Sequence, residues 1–345
     1  MADVQTPSDN DAAFGERLVA QAIETMMAEA AAADAMRGAH PAESRGHAAV
    51  ADAESAEDEH AKATGAQRAR HLLSRAKEAL LTGDFEAAAR MLAQSLELDP
   101  QNRQAYRALA EMHQSLGRME DEMRVLQDWA GAIPGDAMPH YLLSRAYERM
   151  GLDAEAYSEL QLFETLSSGS LPAYPMLAEM YHDLGMRAEE RQTLQDWTRA
   201  APGSPDAHHA LAQYYRSVGN YAAAARQYEH LAALTPQNAS VYAEMAAVYR
   251  QMNMFAEAEA SYLQALELQP NSPGVLFQLG NLYRASGDYY AALDAYQGVI
   301  DAAPNSQQAR QAARAIQRLQ NQLANPGAQQ PPKPKPKRAV LAFRN

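Results

Sequence analysis

The chain has 345 residues, 47% of them hydrophobic, with 30 Lys and Arg against 43 Asp and Glu and a formal net charge of −13. It contains no cysteine, which excludes disulfides, thiolate metal sites and cysteine nucleophiles together. The acidic balance argues against a duplex nucleic-acid surface, which needs an excess of Lys and Arg, and no run of 18 or more apolar residues is present to span a bilayer.

The charge is unevenly spread. Residues 1–68 hold 5 basic against 13 acidic residues, residues 69–325 hold 20 against 30, and residues 326–345 hold five basic residues and no acid. In the acidic N-terminal segment, residues 10–37 are predicted as an amphipathic helix, with Phe14, Leu18, Val19, Ala22, Ile23, Met26, Met27 and Ala30 at helical spacing. Its polar face is acidic, which disfavours an anionic membrane surface. Two readings remain: the helix packs on the rest of its own chain, or it docks on another protein. The first thirty residues lack a basic region followed by an apolar run, so a secretory signal is not expected and a cytoplasmic location is. From Gly38 to about Ala66 the chain is Ala, Glu, His and Ser, with the acidic run ESAEDE at 54–59, and a disordered linker is predicted up to residue 68.

Residues 69–306 are organised by two ladders. A glycine recurs every 34 residues at Gly83, Gly117, Gly151, Gly185, Gly219 and Gly287, with Asn253 in the one skipped place. A proline keeps the same step at Pro100, Pro134, Pro202, Pro236, Pro270 and Pro304, with Ser168 standing in once. Two ladders in phase identify a tandem repeat, with units 69–102, 103–136, 137–170, 171–204, 205–238, 239–272 and 273–306. The glycine lies mid-unit and the proline near its end, so each copy reads as helix, tight turn, helix, stop. With each unit numbered 1 to 34, the last copy places Leu276, Leu279, Gly280 and Tyr283 at positions 4, 7, 8 and 11, one stripe of the first helix. Ala292, Tyr296 and Val299 fall at positions 20, 24 and 27, one face of the second. A lone pair of this kind cannot cover its own apolar face, so a core forms only by stacking.

The small residue at position 8 (Ala76, Ala110, Ala178, Ala212, Ala246, Gly280), the tyrosine at position 11 (Tyr147, Tyr181, Tyr215, Tyr249, Tyr283), the alanine at 20 and the proline at 32 resemble the tetratricopeptide repeat (TPR) family over seven units. The resemblance implies an all-α, right-handed superhelical solenoid that is not an enzyme, needs no cofactor, and binds extended peptides or partner helices in a concave groove. Repeats two and four depart from the pattern, sharing Leu-Gln-Asp-Trp at 126–129 and 194–197, with Glu122 or Glu190 at position 20 and Trp129 or Trp197 at position 27. We read each Glu as snorkelling to water beside a packing Trp. Repeat one, with Leu72, Ala76 and Ala79 on its first helix, reads as a cap, and residues 167–175, SSGSLPAYP, as a flexion point. Residues 307–325 are predicted as a capping helix. The Pro- and Lys-rich tail 326–345 is predicted to be disordered, its prolines favouring extended backbone. The tail ends in Val340, Leu341 and Phe343. Four readings stay open for it: an address read by another protein, which we favour, contact with anionic lipid, nucleic-acid contact, or a solubilising end.

Positions 2, 5, 9, 12 and 13 of the first helix lie opposite the packing stripe, and in the resembled family they line the groove. Here they carry Arg216, Arg250 and Arg284 at position 12 of three successive repeats, Gln213 and Asn281 at position 9, and His209 and Phe277 at position 5. Repeat three adds Tyr141, Arg145 and Arg149. Guanidinium groups pair with carboxylates and amides with peptide backbone, so the expected guest is an acidic or carboxylate-bearing protein segment, with no nucleic acid on the solenoid. The family's chaperone-tail clamp begins with Lys at position 5 and Asn at position 9, and no unit carries that pair. His182 and His209 lie near Asp183 and Asp206 without the spacing of a metal motif, and no metal is expected. The function expected is a protein-interaction scaffold or adaptor. The rival is a self-assembling structural protein, a homo-oligomer in which one copy's terminal segment fills the next copy's groove.

Overall fold

Every glycine of the 34-residue ladder adopts the left-handed backbone, with φ between 67° and 83°, and Asn253 takes the same region at φ 59°. Glycine enters this region at no steric cost, and Asn is among the few L-residues that tolerate it. The ladder is therefore the set of sharp turns inside the helix pairs. The computed structural model describes residues 51–324, with side chains from Thr64 onward. The readings for residues 10–37 and 326–345 lie outside the described residues.

The described residues form fifteen helices and no strand. The first four repeats are α1 (Ala51–Leu81) with α2 (Phe85–Leu98), α3 (Arg103–Ser115) with α4 (Met119–Ala132), α5 (Met138–Arg149) with α6 (Asp153–Leu166), and α7 (Ala173–Asp183) with α8 (Arg187–Ala200). The last three are α9 (Pro205–Ser217) with α10 (Tyr221–Leu234), α11 (Ala239–Gln251) with α12 (Phe255–Leu268), and α13 (Pro273–Ser286) with α14 (Tyr289–Ala302), followed by α15 (Gln307–Ala324). Helix starts are capped by side chains accepting from the backbone two or three residues on, as with Asp84, Asn102, Ser204, Asn220, Asn238 and Asp288. The linker expectation is corrected from Ala51 onward: α1 begins there, before the first repeat. Composition that cannot build a core can still be helical, because Ala and Glu are strong helix formers and no proline interrupts them.

The chain divides into two units, one ending at Thr193 and the other starting at Leu194. In the first unit, Leu73, Ala76, Leu92, Ala105 and Ala108 form a small core under the first repeats. The main core gathers Tyr106, Leu126, Trp129, Met138, Tyr141, Leu160, Phe163, Met176 and Met180. The expected flexion point is a packed turn inside this unit. Ser167 is buried and its Oγ–H donates to the Phe163 carbonyl at 2.6 Å, while Ala173 joins the main core. In the second unit one cluster centres on Tyr228, Leu231, Val241 and Val248, and another on Tyr262, Leu266, Leu279, Tyr296 and Val299. Helix α15 closes that last cluster with Ala312 and Leu319.

Position 8 faces position 20 across each helix pair. Ala76, Ala212 and Ala246 are fully buried, as are Ala88, Ala224 and Ala258, and in repeat three the Ser144 Oγ–H donates to the Ala156 carbonyl at 2.7 Å. At Gly280 an added Cβ would stand 2.6 Å from the ring of Tyr296, so the glycine there admits an aromatic ring against the α13 backbone. Three position-11 tyrosines brace their repeat to the one before. Tyr181 donates to Glu164 at 2.8 Å, Tyr249 to Glu229 at 2.6 Å and Tyr283 to Glu259 at 2.9 Å. Burial and the adjoining carboxylate both push these hydroxyls above the ordinary tyrosine value.

The departures in repeats two and four are resolved differently from the snorkelling expected of them. Glu122 is 5% exposed and accepts from Arg149 Nη2 at 2.6 Å, so its charge is met inside the chain. Glu190 is likewise buried and accepts from Arg187 at 2.9 Å, with His182 at 3.1 Å. Trp129 stacks on Tyr106 with ring centroids 6.0 Å apart, and its Nε1–H donates to Asp136 at 3.0 Å. The same Asp136 takes Arg103 Nε at 2.6 Å. A buried carboxylate is tolerated where hydrogen bonds and a cation satisfy its lone pairs.

Candidate functional site

Helices α9, α11 and α13 are the first helices of repeats five to seven, and a 34-residue step puts equal positions of each on equivalent faces. Arg216, Arg250 and Arg284 recur there at position 12. Across from each, at position 24 of the same repeat, stands a tyrosine: Tyr228, Tyr262 and Tyr296, all at most 1% exposed. The three Arg–Tyr pairs share a register and differ in what surrounds them.

In repeat five, His209 lies edge-on to Tyr228, ring centroids 6.2 Å apart, and Gln213 Nε2 lies 3.3 Å from His209 Nε2. The Tyr228 hydroxyl donates to Glu244 Oε2 at 2.8 Å, and His209 Nε2 meets the same oxygen at 2.9 Å. Burial pushes the Glu244 carboxyl up, but the hydrogen bonds from His209 and Tyr228 and the charges of His209 and Arg216 outweigh it, leaving the carboxyl below its ordinary value. Half-buried Arg216 thus faces a carboxylate of the next repeat.

In repeat seven, Phe277 packs on Tyr296 with centroids 5.5 Å apart, and the Tyr296 hydroxyl donates to Asn281 Oδ1 at 2.8 Å. Arg284 is exposed and reaches the same hydroxyl. In repeat six, positions 5 and 9 are Ala243 and Ala247, both half-buried. Arg250 Nε and the Tyr262 hydroxyl are buried and have no hydrogen-bond partner. Burial pushes the Tyr262 hydroxyl up, and the Arg250 charge beside it offsets part of that rise.

Tyr141, Arg145 and Arg149 belong to the first unit. Tyr141 is a core residue, 1% exposed, its ring tilted against Phe163 at 5.4 Å. Arg145 Nη1 donates to Glu179 at 2.9 Å and to the Tyr141 hydroxyl at 3.2 Å, while Arg149 holds Glu122. The positive groups of repeat three are therefore engaged with the chain's own carboxylates. Glu244, Glu179 and Asp136 organise these networks and were not among the residues singled out from the sequence. Their signal is a carboxylate close to one repeat length from a cation, as in Arg145 and Glu179 or His209 and Glu244.

His182 Nδ1 meets Glu190 and His209 Nε2 meets Glu244. The hydrogen bond to Glu190 holds His182 above the ordinary imidazole value, and burial pushes the neighbouring Asp183 carboxyl up. Among the described residues no group of three or more His, Asp and Glu is placed to hold a metal ion. None of the described helices is long and apolar enough to cross a membrane.

Models of the tetratricopeptide repeat match residues 73–137, 207–242, 239–272 and 261–294. No curated protein matches the sequence. Among solved structures, the C-terminal part of a TPR repeat-containing protein from Cytophaga hutchinsonii superposes with a TM-score of 0.54 at 14% identity, covering 70% of this chain and 98% of that one, a likeness of fold alone. The MamA protein gives a TM-score of 0.41 at 22% identity over 48% of this chain and 91% of its own. YrrB, described as a TPR protein with an unusual peptide-binding site, gives 0.44 at 16% identity over 55% and 97%.

Proposed function

Because the chain is a tetratricopeptide-repeat protein, we propose that it works as a non-catalytic scaffold or adaptor, holding an acidic segment of a partner protein along the face of α9, α11 and α13. The observation that carries this reading is the recurrence of Arg216, Arg250 and Arg284 in one register within one unit. Side chains able to bond a peptide lie beside them, namely Gln213, His209, Asn281 and Phe277. Arginine suits the role because its planar fork bonds a carboxylate through two donors and keeps its charge at any physiological pH. In this reading Tyr141, Arg145 and Arg149 form the framework of repeat three, since their polar atoms hold Glu179 and Glu122.

The test replaces Arg216, Arg250 and Arg284 together by Ala and compares the proteins recovered from the native host with those recovered by the unaltered chain at one salt concentration. The array is expected to keep its helical circular dichroism and to lose its acidic partners at least about tenfold, the scale of losing one or two charge-assisted hydrogen bonds. Recovery of the same partners in the same yield would make the arginines ordinary surface.

A further inference from the structure

Three tyrosines stand at position 24 of repeats five, six and seven, and two of them have an acceptor supplied by the chain. Tyr228 donates to Glu244, which comes from position 6 of the following repeat. Tyr296 donates to Asn281, from position 9 of its own repeat. For Tyr262 both sources are missing. Position 9 of its repeat is Ala247, which has no polar atom, and position 6 of the next is Gln278, which is exposed and leaves the Tyr262 hydroxyl without a partner.

The break in the pattern is also a break in bulk. Positions 5 and 9 flank the tyrosine ring in the neighbouring repeats, through His209 on Tyr228 and through Phe277 and Asn281 on Tyr296. Repeat six places only methyl groups there, from Ala243 and Ala247. The ring of Tyr262 is 1% exposed, yet its hydroxyl and Arg250 Nε, two hydrogen-bond donors of one repeat, are both left unmet. A buried donor without an acceptor costs about 1–3 kcal/mol, so an acceptor brought to the two of them would be bound favourably.

We propose that the face of α11 at Ala243 and Ala247 is a subsite for one carboxylate of the guest, with Tyr262 O–H donating to one oxygen and Arg250 to the other. Arg250 is the movable member: half-buried, on a long stem, it lifts to admit the carboxylate against the hydroxyl. Two donors and a positive charge select a carboxylate over an amide, because an amide offers one acceptor oxygen and no charge. The subsite rests on the groove reading above and sharpens it, since it names the repeat at which the guest is gripped and the group that is gripped.

The test is calorimetric titration of the full chain with N-acetyl-tetraglutamate amide, with N-acetyl-tetraglutamine amide as the uncharged control. Tetraglutamate is expected to bind and tetraglutamine is not. Tyr262→Phe should weaken tetraglutamate about tenfold, the scale of one charge-assisted hydrogen bond. Ala247→Asn should weaken it at least as much, because it adds bulk beside Tyr262 and supplies the acceptor that Asn281 supplies in repeat seven. Arg226→Ala, equal in charge and exposed on α10 outside the proposed binding face, should cost no more than about threefold, as expected for an exposed charge. If Tyr262→Phe and Ala247→Asn both bind like the unaltered chain while the triple arginine variant does not, the subsite is overturned and the groove reading stands. If tetraglutamate fails to bind the unaltered chain, the subsite is overturned directly, and the groove reading is decided by the partner recovery described above.

Discussion

Repeats two to four and repeats five to seven use one helix pair in two ways. In the first set the buried carboxylates Glu122, Asp136 and Glu190 each meet a cation of the chain, from Arg149, Arg103 and Arg187. In the second set the polar stripe closes on itself at Tyr228 and Tyr296 and stays open at Tyr262. The Arg149–Glu122 pair ties repeat three to repeat two, and the pairs of Asp136 and Glu190 brace single repeats, whereas unmet donors beside small residues are suited to receiving a group from elsewhere. A repeat period fixes where a side chain stands and leaves its partner to be chosen repeat by repeat.

The sharpest way to break this comparison is at the lock. Trp129→Ala removes a fully buried indole stacked on Tyr106 and should cost about 3–5 kcal/mol in urea unfolding. A cost below about 1 kcal/mol would mean that repeat two does not depend on it. Asp136→Ala strands the Arg103 guanidinium and the Trp129 N–H together, and a loss of about 3 kcal/mol is expected, as for a buried pair deprived of one partner. Gly280→Ala tests the second set, because the new methyl would press on the Tyr296 ring. It should destabilise by about 1–3 kcal/mol, and Phe or Leu in place of Tyr296 should show whether the ring or its hydrogen bond to Asn281 is responsible.

A pH series separates the two sets further. Glu244 lies below its ordinary value of 4.5 in the folded chain, so its contribution to stability is complete above about pH 4.5 and is lost as the pH falls through the lower folded value. Glu244→Gln should flatten that part of the stability profile, and an unchanged slope would remove Glu244 from the account. The smallest effect is a gain. Ala247→Asn should raise stability by up to about 1 kcal/mol by giving Tyr262 an acceptor.

The turns and the helix pairing were legible because each rests on a backbone requirement that one residue type meets, as Gly83 to Gly287 and Asn253 do at positive φ. The common register of Arg216, Arg250 and Arg284 on α9, α11 and α13 was legible too, since position 12 is set by the period. The partners were not. Arg145 meets Glu179 and Arg149 meets Glu122 across residues 34 and 27 apart, and those distances acquire meaning only once one repeat is stacked on the next. Glu122 and Glu190 depart from the expected escape to water because cations retain them: Arg149 of the next repeat for Glu122, and for Glu190 Arg187 one turn earlier in α8 with His182 of α7. The helix preceding Ala69 was not legible because a stretch of Ala, Glu, His and Ser with the acidic run ESAEDE has little to bury, although Ala and Glu are strong helix formers.

The most direct test of the contrast between closed and open repeats is a nitrogen-15 spectrum of the arginine Nε–H groups of the full chain, recorded as N-acetyl-tetraglutamate amide is added. The account predicts that the Arg250 signal moves first and furthest, with Arg284 behind it and with Arg103, Arg145 and Arg149 unmoved in their ion pairs. Movement of Arg145 and Arg149 with Arg250 stationary would contradict it, and would transfer the guest to repeats two to four.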